Sequence, residues 1–74
     1  MNLEAIRTEL EVLGNVGTLE ERSGMLFISI SGVVESQATV TTFNGIIDTH
    51  VATTYPLLEV FTLEGGSIKA IYKN

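Results

Sequence analysis

The chain has 74 residues, with no cysteine, one proline and seven glycines, and its nine acidic residues against four lysines and arginines give a formal net charge of −5. The lack of cysteine excludes disulfides and thiolate metal sites. A domain of this size buries only about 60% of the surface of its unfolded chain, so association with another chain is the remaining aid to its stability. The acidic balance argues against nucleic acid and anionic membranes as partners, because both are bound through clustered Lys and Arg.

The hydrophobic fraction of 45% indicates a folded globular chain, which we expect to form one domain over residues 1–74. No basic region precedes an apolar run at the N terminus, as a secretory signal would require. The most apolar window, residues 25–34, is well short of the roughly 20 residues that a membrane helix needs. These features predict a cytoplasmic protein.

The first predicted element is a helix over residues 3–13. Its apolar side chains recur at the spacing of one helix face, at Leu3, Ile6, Leu10 and Leu13. Asn2 is placed to cap the first turn, and Gly14 is placed to end the helix in the left-handed conformation.

After Gly14 the helical period disappears and β-branched residues dominate, which favours strands. The predicted strands are residues 18–22, 25–31, 35–43, 46–53, 57–64 and 67–72. Asn44-Gly45 and Glu64-Gly65-Gly66 are typical hairpin turns, and Ser23-Gly24 marks another break. No internal repeat is recognisable.

The predicted strand at residues 57–64 is apolar on both faces. Strict alternation places Leu57, Phe61 and Leu63 on one face and Leu58 and Val60 on the other. A helix of about 11 residues covers only part of one sheet face, so the second face needs other cover. This pattern predicts a homo-oligomer, a dimer or a larger assembly.

The order of Asn44-Gly45, Tyr55-Pro56 and the segment up to Ile68 resembles the C-terminal hairpins of the NTF2-like superfamily, in particular its SnoaL-like and limonene-epoxide-hydrolase-like members. The resemblance implies a curved antiparallel sheet around a cone-shaped apolar pocket, pairing through the outer sheet face, and a chain that corresponds to the C-terminal half of such a domain.

The resemblance also bears on catalysis. Counting back from the Asn-Gly turn places the arginine and aspartate positions of the epoxide-hydrolase-like members on Gln37 and Thr39. Neither side chain can polarise an epoxide or activate water, so the resemblance supports the fold and argues against that activity.

Three residues are weak candidates for acid–base chemistry. Asp48 and His50 lie two apart, so in a strand they share a face and can form a general-base pair, although an exposed polar face gives the same pattern. Glu59 shares a face with Leu57 and Phe61, an apolar setting that would raise the pKa of its carboxyl. The alternative for Glu59 is a position at the sheet edge or an ion pair with Lys69 across the hairpin.

An apolar pocket would be lined by Phe61, Tyr55 and Tyr72, although tyrosines at edges and interfaces are more common. No His, Asp and Glu cluster has metal-ligand spacing, so neither a metal nor a cofactor is expected.

The sequence therefore predicts an α+β fold in which one N-terminal helix packs on a curved antiparallel sheet of five to six strands, with the cone-like shape of half an NTF2-type domain. The predicted function is that of a non-catalytic domain that self-associates and binds a small hydrophobic ligand. The alternatives are a small isomerase or hydrolase acting on an apolar substrate through pocket carboxylates, and a protein-interaction module.

Overall fold

The computed structural model describes all 74 residues and has two helices and four strands. In chain order these are α1 (Leu3–Leu10), β1 (Asn15–Arg22), β2 (Met25–Ser31), α2 (Gln37–His50), β3 (Leu57–Glu64) and β4 (Ser67–Lys73). The strands form one antiparallel sheet in the order β1-β2-β4-β3. The α+β class is confirmed, whereas the sheet has four strands instead of five or six. Neither helix has the length and hydropathy needed to cross a membrane.

Helix α1 begins as predicted and ends earlier than predicted. The Asn2 side chain accepts a hydrogen bond from the backbone N–H of Ala5, which confirms the N-cap. The helix ends at Leu10, and Gly14 is not in the left-handed region, so its predicted role was wrong. Gly14 instead allows a close approach, because a Cβ at this position would overlap the carbonyl oxygen of Ser31.

Helix α2 replaces the two strands predicted at residues 35–43 and 46–53, and the predicted Asn44-Gly45 turn lies inside it. Ser36 caps the helix by accepting a hydrogen bond from the N–H of Thr39 at 3.3 Å. Buried side chains follow at helical spacing, at Phe43, Ile46, Ile47 and Val51. The many threonines favour a strand only weakly, and burial of this apolar stripe outweighs that preference.

One tight turn joins the two strands of each hairpin. Ser23 and Gly24 have φ of 55° and 73°, and Gly65 and Gly66 have φ of 59° and 71°. Positive φ at both central residues is the geometry of a type I′ turn, whose twist matches that of antiparallel strands. The predicted breaks at Ser23-Gly24 and Glu64-Gly65-Gly66 are therefore confirmed as hairpin turns.

A bulge in β3 changes which side chains share a face. The register shifts between Leu58 and Val60. Leu58 pairs with Tyr72 and Phe61 pairs with Ala70, so Leu58 and Phe61 both point to the helix side of the sheet. Leu57 and Val60 point to the other side. The strict alternation expected from the sequence fails at this bulge, but β3 does present apolar residues to both faces.

The two β-hairpins are related by an internal two-fold pseudosymmetry. Strands β3 and β4 begin 42 residues after β1 and β2, at 57 against 15 and at 67 against 25. The bulges at 16/18 and 58/60 and the two hairpin turns obey the same offset. Ile28 pairs with Ala70, and Ala70 is also the residue that corresponds to Ile28 under the 42-residue offset. The pseudo-two-fold axis therefore passes between these two residues.

The hydrophobic core lies between the helices and one face of the sheet. The largest fully buried side chains come from both helices, from both central strands and from the loop after α2, and they are Ile6, Leu10, Leu26, Ile30, Phe43, Val51 and Ile68. The Phe43 and Phe61 rings contact each other, with centroids 5.6 Å apart. The other face of the sheet carries no helix, and we call it the open face.

Glycine-to-alanine substitutions test the close approach at Gly14. Gly14→Ala is expected to lower the free energy of unfolding by about 1–3 kcal/mol, because the new methyl group overlaps a backbone oxygen. Gly45→Ala, in α2 with open space around it, is expected to raise the same quantity by about 0.5–1 kcal/mol. Urea denaturation of both variants measures the two effects, and a neutral Gly14→Ala would contradict the geometry.

Candidate functional site

The open face has an apolar end and a hydroxyl end. Alternation along the strands brings the side chains of every second residue to this face. The apolar end contains Met25, Phe27, Leu57, Val60 and Ile71, with Lys73 between Met25 and Leu57 in the last row. The hydroxyl end consists of Thr18, Ser29, Ser31, Thr62 and Ser67. The apolar end lies where β2 begins and β4 ends. The hydroxyl end lies where β2 ends and β4 begins.

A groove of about 450 Å³ lies where the two ends meet. Its lining residues form four pairs that are equivalent under the internal pseudosymmetry: Thr18 and Val60, Phe27 and Lys69, Ile28 and Ala70, and Ser29 and Ile71. Ile28 and Ala70 belong to the core and form the floor. In each of the other pairs one member is apolar and one is polar, so the groove has an apolar wall and a polar wall.

The cations of the open face differ in their partners. Arg22 lies 3.5 Å from Glu20 and also sits over the Phe27 ring, with its Cζ 4.5 Å from the ring centroid. Lys73 lies 2.7 Å from Glu59. Lys69 has no carboxylate within 4 Å, although it shares a second, smaller hollow with Glu64. Lys69 is therefore the one cation of this face without a carboxylate partner.

The open face is electrically balanced, and the rest of the molecule is not. Three cations and three acids belong to this face. The register places Arg22, Lys69, Lys73, Glu20 and Glu64 there, and Glu59 joins them through its ion pair with Lys73. The other six acidic residues and Arg7 account for the net charge of −5. The negative charge of the protein thus lies on the helices, on their connections and at the sheet rim.

Asp48 and His50 do not share a strand face, because both lie in α2. Residues two apart on a helix point in nearly opposite directions. His50 Nε2 contacts the Glu9 carboxylate of α1 and joins the two helices. Asp48 lies near Tyr72 instead, where its charge acts on the phenol. The shared strand face on which the Asp48–His50 general-base pair depended is therefore absent.

Glu59 lies at the β3 bulge, and its carboxylate pairs with Lys73 of β4 at 2.7 Å. The predicted face shared with Leu57 and Phe61 does not form, because the bulge puts these two residues on opposite faces. The alternative, a cross-strand ion pair, forms with Lys73 instead of Lys69. Glu59, Asp48 and His50 each have a different partner, and they do not form one hydrogen-bonded group.

Phe61, Tyr55 and Tyr72, which the sequence places in a ligand pocket, lie on the helix side of the sheet and line neither hollow. The Tyr55 hydroxyl donates a 2.6 Å hydrogen bond to Glu21, and this bond, with burial and the Glu21 charge, raises the pKa of Tyr55. Burial and the nearby Asp48 charge raise the pKa of Tyr72 to about 12. Both phenols stay protonated at neutral pH.

The residues of the groove were missed by the sequence reasoning, although a signal for them exists. In the strands predicted at residues 25–31 and 67–72, apolar side chains occupy both sets of alternate positions, since Phe27 lies between Leu26 and Ile28, and Ile71 lies between Ala70 and Tyr72. Only one set can face the helix layer, so Phe27 and Ile71 are left on the second face. Apolar side chains at such positions indicate a second surface that requires cover.

Comparisons of the chain with protein-family models, with curated proteins and with solved structures found no match. The function must therefore be argued from the geometry of the open face.

The buried phenol of Tyr72 predicts a loss of stability at alkaline pH. The folded state holds this proton more tightly than the unfolded chain, whose Tyr pKa is 10.0, so the stabilisation is complete below that pH and is lost as the pH rises toward 12. Between these values the free energy of unfolding should fall more steeply for the wild type than for Tyr72→Phe. Urea denaturation across the pH series measures both slopes, and equal slopes would contradict the prediction.

Proposed function

We propose that the chain is a non-catalytic, self-associating domain in which two copies pack their open faces together. The observation that carries the proposal is the apolar end of the open face. Leu57 and Val60 are 51% and 41% exposed, and Met25, Phe27 and Ile71 beside them are only partly buried. A contiguous apolar patch on a small domain is typical of an interaction surface.

The charge distribution favours a second copy as the partner. The open face carries equal numbers of cations and acids, so two such faces meet without net repulsion and can exchange ion pairs at the rim. A strongly charged partner would find no net opposite charge on the open face to attract it. The helix side, which carries the net charge of −5, would repel a second copy approaching in that direction.

The size of the face sets the expected strength of the dimer. Four strands of about seven residues cover roughly 20 Å by 24 Å, given the spacing of strands and residues in a sheet. Two such faces bury an area at the low end of specific interfaces. The expected dimer therefore dissociates on dilution. In the dimer the two sheets would lie about 10 Å apart, the usual separation of packed sheets.

The resemblance to the NTF2-like superfamily remains a hypothesis within this proposal. The segment from Pro56 to Ile68 forms a strand, a turn and a strand, in agreement with the motif. Residues 42–45, where the motif has its Asn-Gly turn, lie in α2. The proposed pairing depends on the open face and does not require the resemblance.

The absence of catalysis in the proposal is supported by the separate partners of Glu59, Asp48 and His50. No observation on these residues favours the isomerase or hydrolase alternative.

Sedimentation velocity across a concentration series tests the pairing. The wild type is expected to shift from monomer to dimer with concentration. Ile71→Lys removes a central apolar contact and places a second cation near Lys69, which already lacks a carboxylate partner. It should therefore shift the equilibrium to monomer, by tenfold or more in dissociation constant, since an added unpaired charge at the interface costs several kcal/mol.

The matched control is Val12→Lys, which introduces the same side chain at a position that is 78% exposed and lies away from the open face. This variant should dimerise like the wild type. Far-ultraviolet circular dichroism checks that both variants fold. A wild type that stays monomeric at the highest concentration, or equal effects of the two substitutions, would refute the proposed pairing.

A further inference from the structure

We infer that the groove on the open face binds a small amphipathic carboxylate, with its hydrocarbon part against the apolar wall and its carboxylate on Lys69. The inference rests on the proposed pairing, because the second copy closes the groove. It adds a ligand class and a charge-recognising residue to that surface.

The two walls of the groove match the two parts of such a ligand. Phe27, Ile71 and Val60 lie side by side on β2, β4 and β3, so they form a continuous apolar row across three strands. The next row on the same face contains Thr18, Ser29 and Lys69. A ligand lying across the strands would therefore contact hydrocarbon on one side and hydroxyl and ammonium groups on the other.

The sign of the ligand charge follows from Lys69. It is the only charged residue that lines the groove, and no carboxylate of the protein lies within 4 Å of it. Arg22 and Lys73 on the same face are already paired with Glu20 and Glu59. An anion at Lys69 can also accept hydrogen bonds from the hydroxyls of Thr18 and Ser29.

The size of the groove limits the ligand to a small molecule. A volume of about 450 Å³ is within the range of small-molecule sites, roughly 300–1,000 Å³. Such sites enclose most of the ligand surface, whereas this groove is open on one side. The facing groove of a second copy supplies the missing wall and strengthens the Lys69–carboxylate interaction by excluding water.

Octanoate, octanol and octylamine are suitable probes, because they share one hydrocarbon chain and differ in the charge of the head group. Isothermal titration of the wild type should give binding in the order octanoate, octanol and octylamine, from strongest to weakest. Lys69→Gln should weaken octanoate binding by about tenfold or more, because it removes a charge-assisted hydrogen bond, and should leave octanol binding unchanged.

Arg7→Gln is the control, since it removes one positive charge from α1, on the helix side and away from both the open face and the groove. It should change octanoate affinity by less than about twofold. Equal losses in the two variants, equal binding of octanoate and octanol, or no binding of either would overturn the assignment of the groove.

Sedimentation of the same samples separates this inference from the proposed pairing. A dimer that binds no octanoate overturns the ligand site alone. A chain that is monomeric with and without octanoate overturns the pairing, and with it the closed site.

Discussion

The structure depends on the pairing of β2 with β4 at the centre of the sheet. This is the only ladder that joins the first half of the chain to the second, and it extends from Met25–Lys73 to Ser31–Ser67. Each half alone is a helix with a two-stranded hairpin, and an isolated hairpin is marginally stable in water. The central pairing makes one four-stranded sheet, and only this sheet is wide enough to carry both helices and bury Ile28 and Ala70 beneath them.

The same pairing places the candidate site. Because the pseudo-two-fold axis passes between Ile28 and Ala70, the groove above them is lined by equivalent positions of the two halves. The strand backbones of the two hairpins correspond, but their side chains do not: Phe27 corresponds to Lys69, and Ile71 corresponds to Ser29. A symmetric scaffold thereby gives a groove with two chemically different walls, which can orient an asymmetric ligand.

The parts of the fold that were predictable are those with local signals. The Asn2 cap, the hairpin turns at Ser23-Gly24 and Glu64-Gly65-Gly66 and the alternating strands needed no tertiary information. Helix α2 was missed because its threonines are typical of strands and Asn44-Gly45 is typical of a hairpin turn. Its apolar side chains at helical spacing favour a helix only once the sheet is present to bury them. The internal symmetry was also hidden, because Gly24 and Gly66 are the only identical residues between positions 15–31 and 57–73. The groove combines residues from all four strands, so it required the sheet order.

The same features explain why association would stop at two copies. Pairing through the open faces leaves the helices, their connections and the sheet rim outward, and these parts carry six of the nine acidic residues, so a third copy meets repulsion. Growth through the sheet edges is hindered as well. Both edge strands, β1 and β3, contain a bulge, at 16/18 and at 58/60, and a bulge interrupts the regular row of backbone groups that another strand would need for pairing. The exposed Leu57 and Leu58 on β3 make such protection necessary, because an apolar edge is a template for aggregation. A neutral apolar face, acidic outer layers and bulged edges together favour a closed dimer over an open assembly.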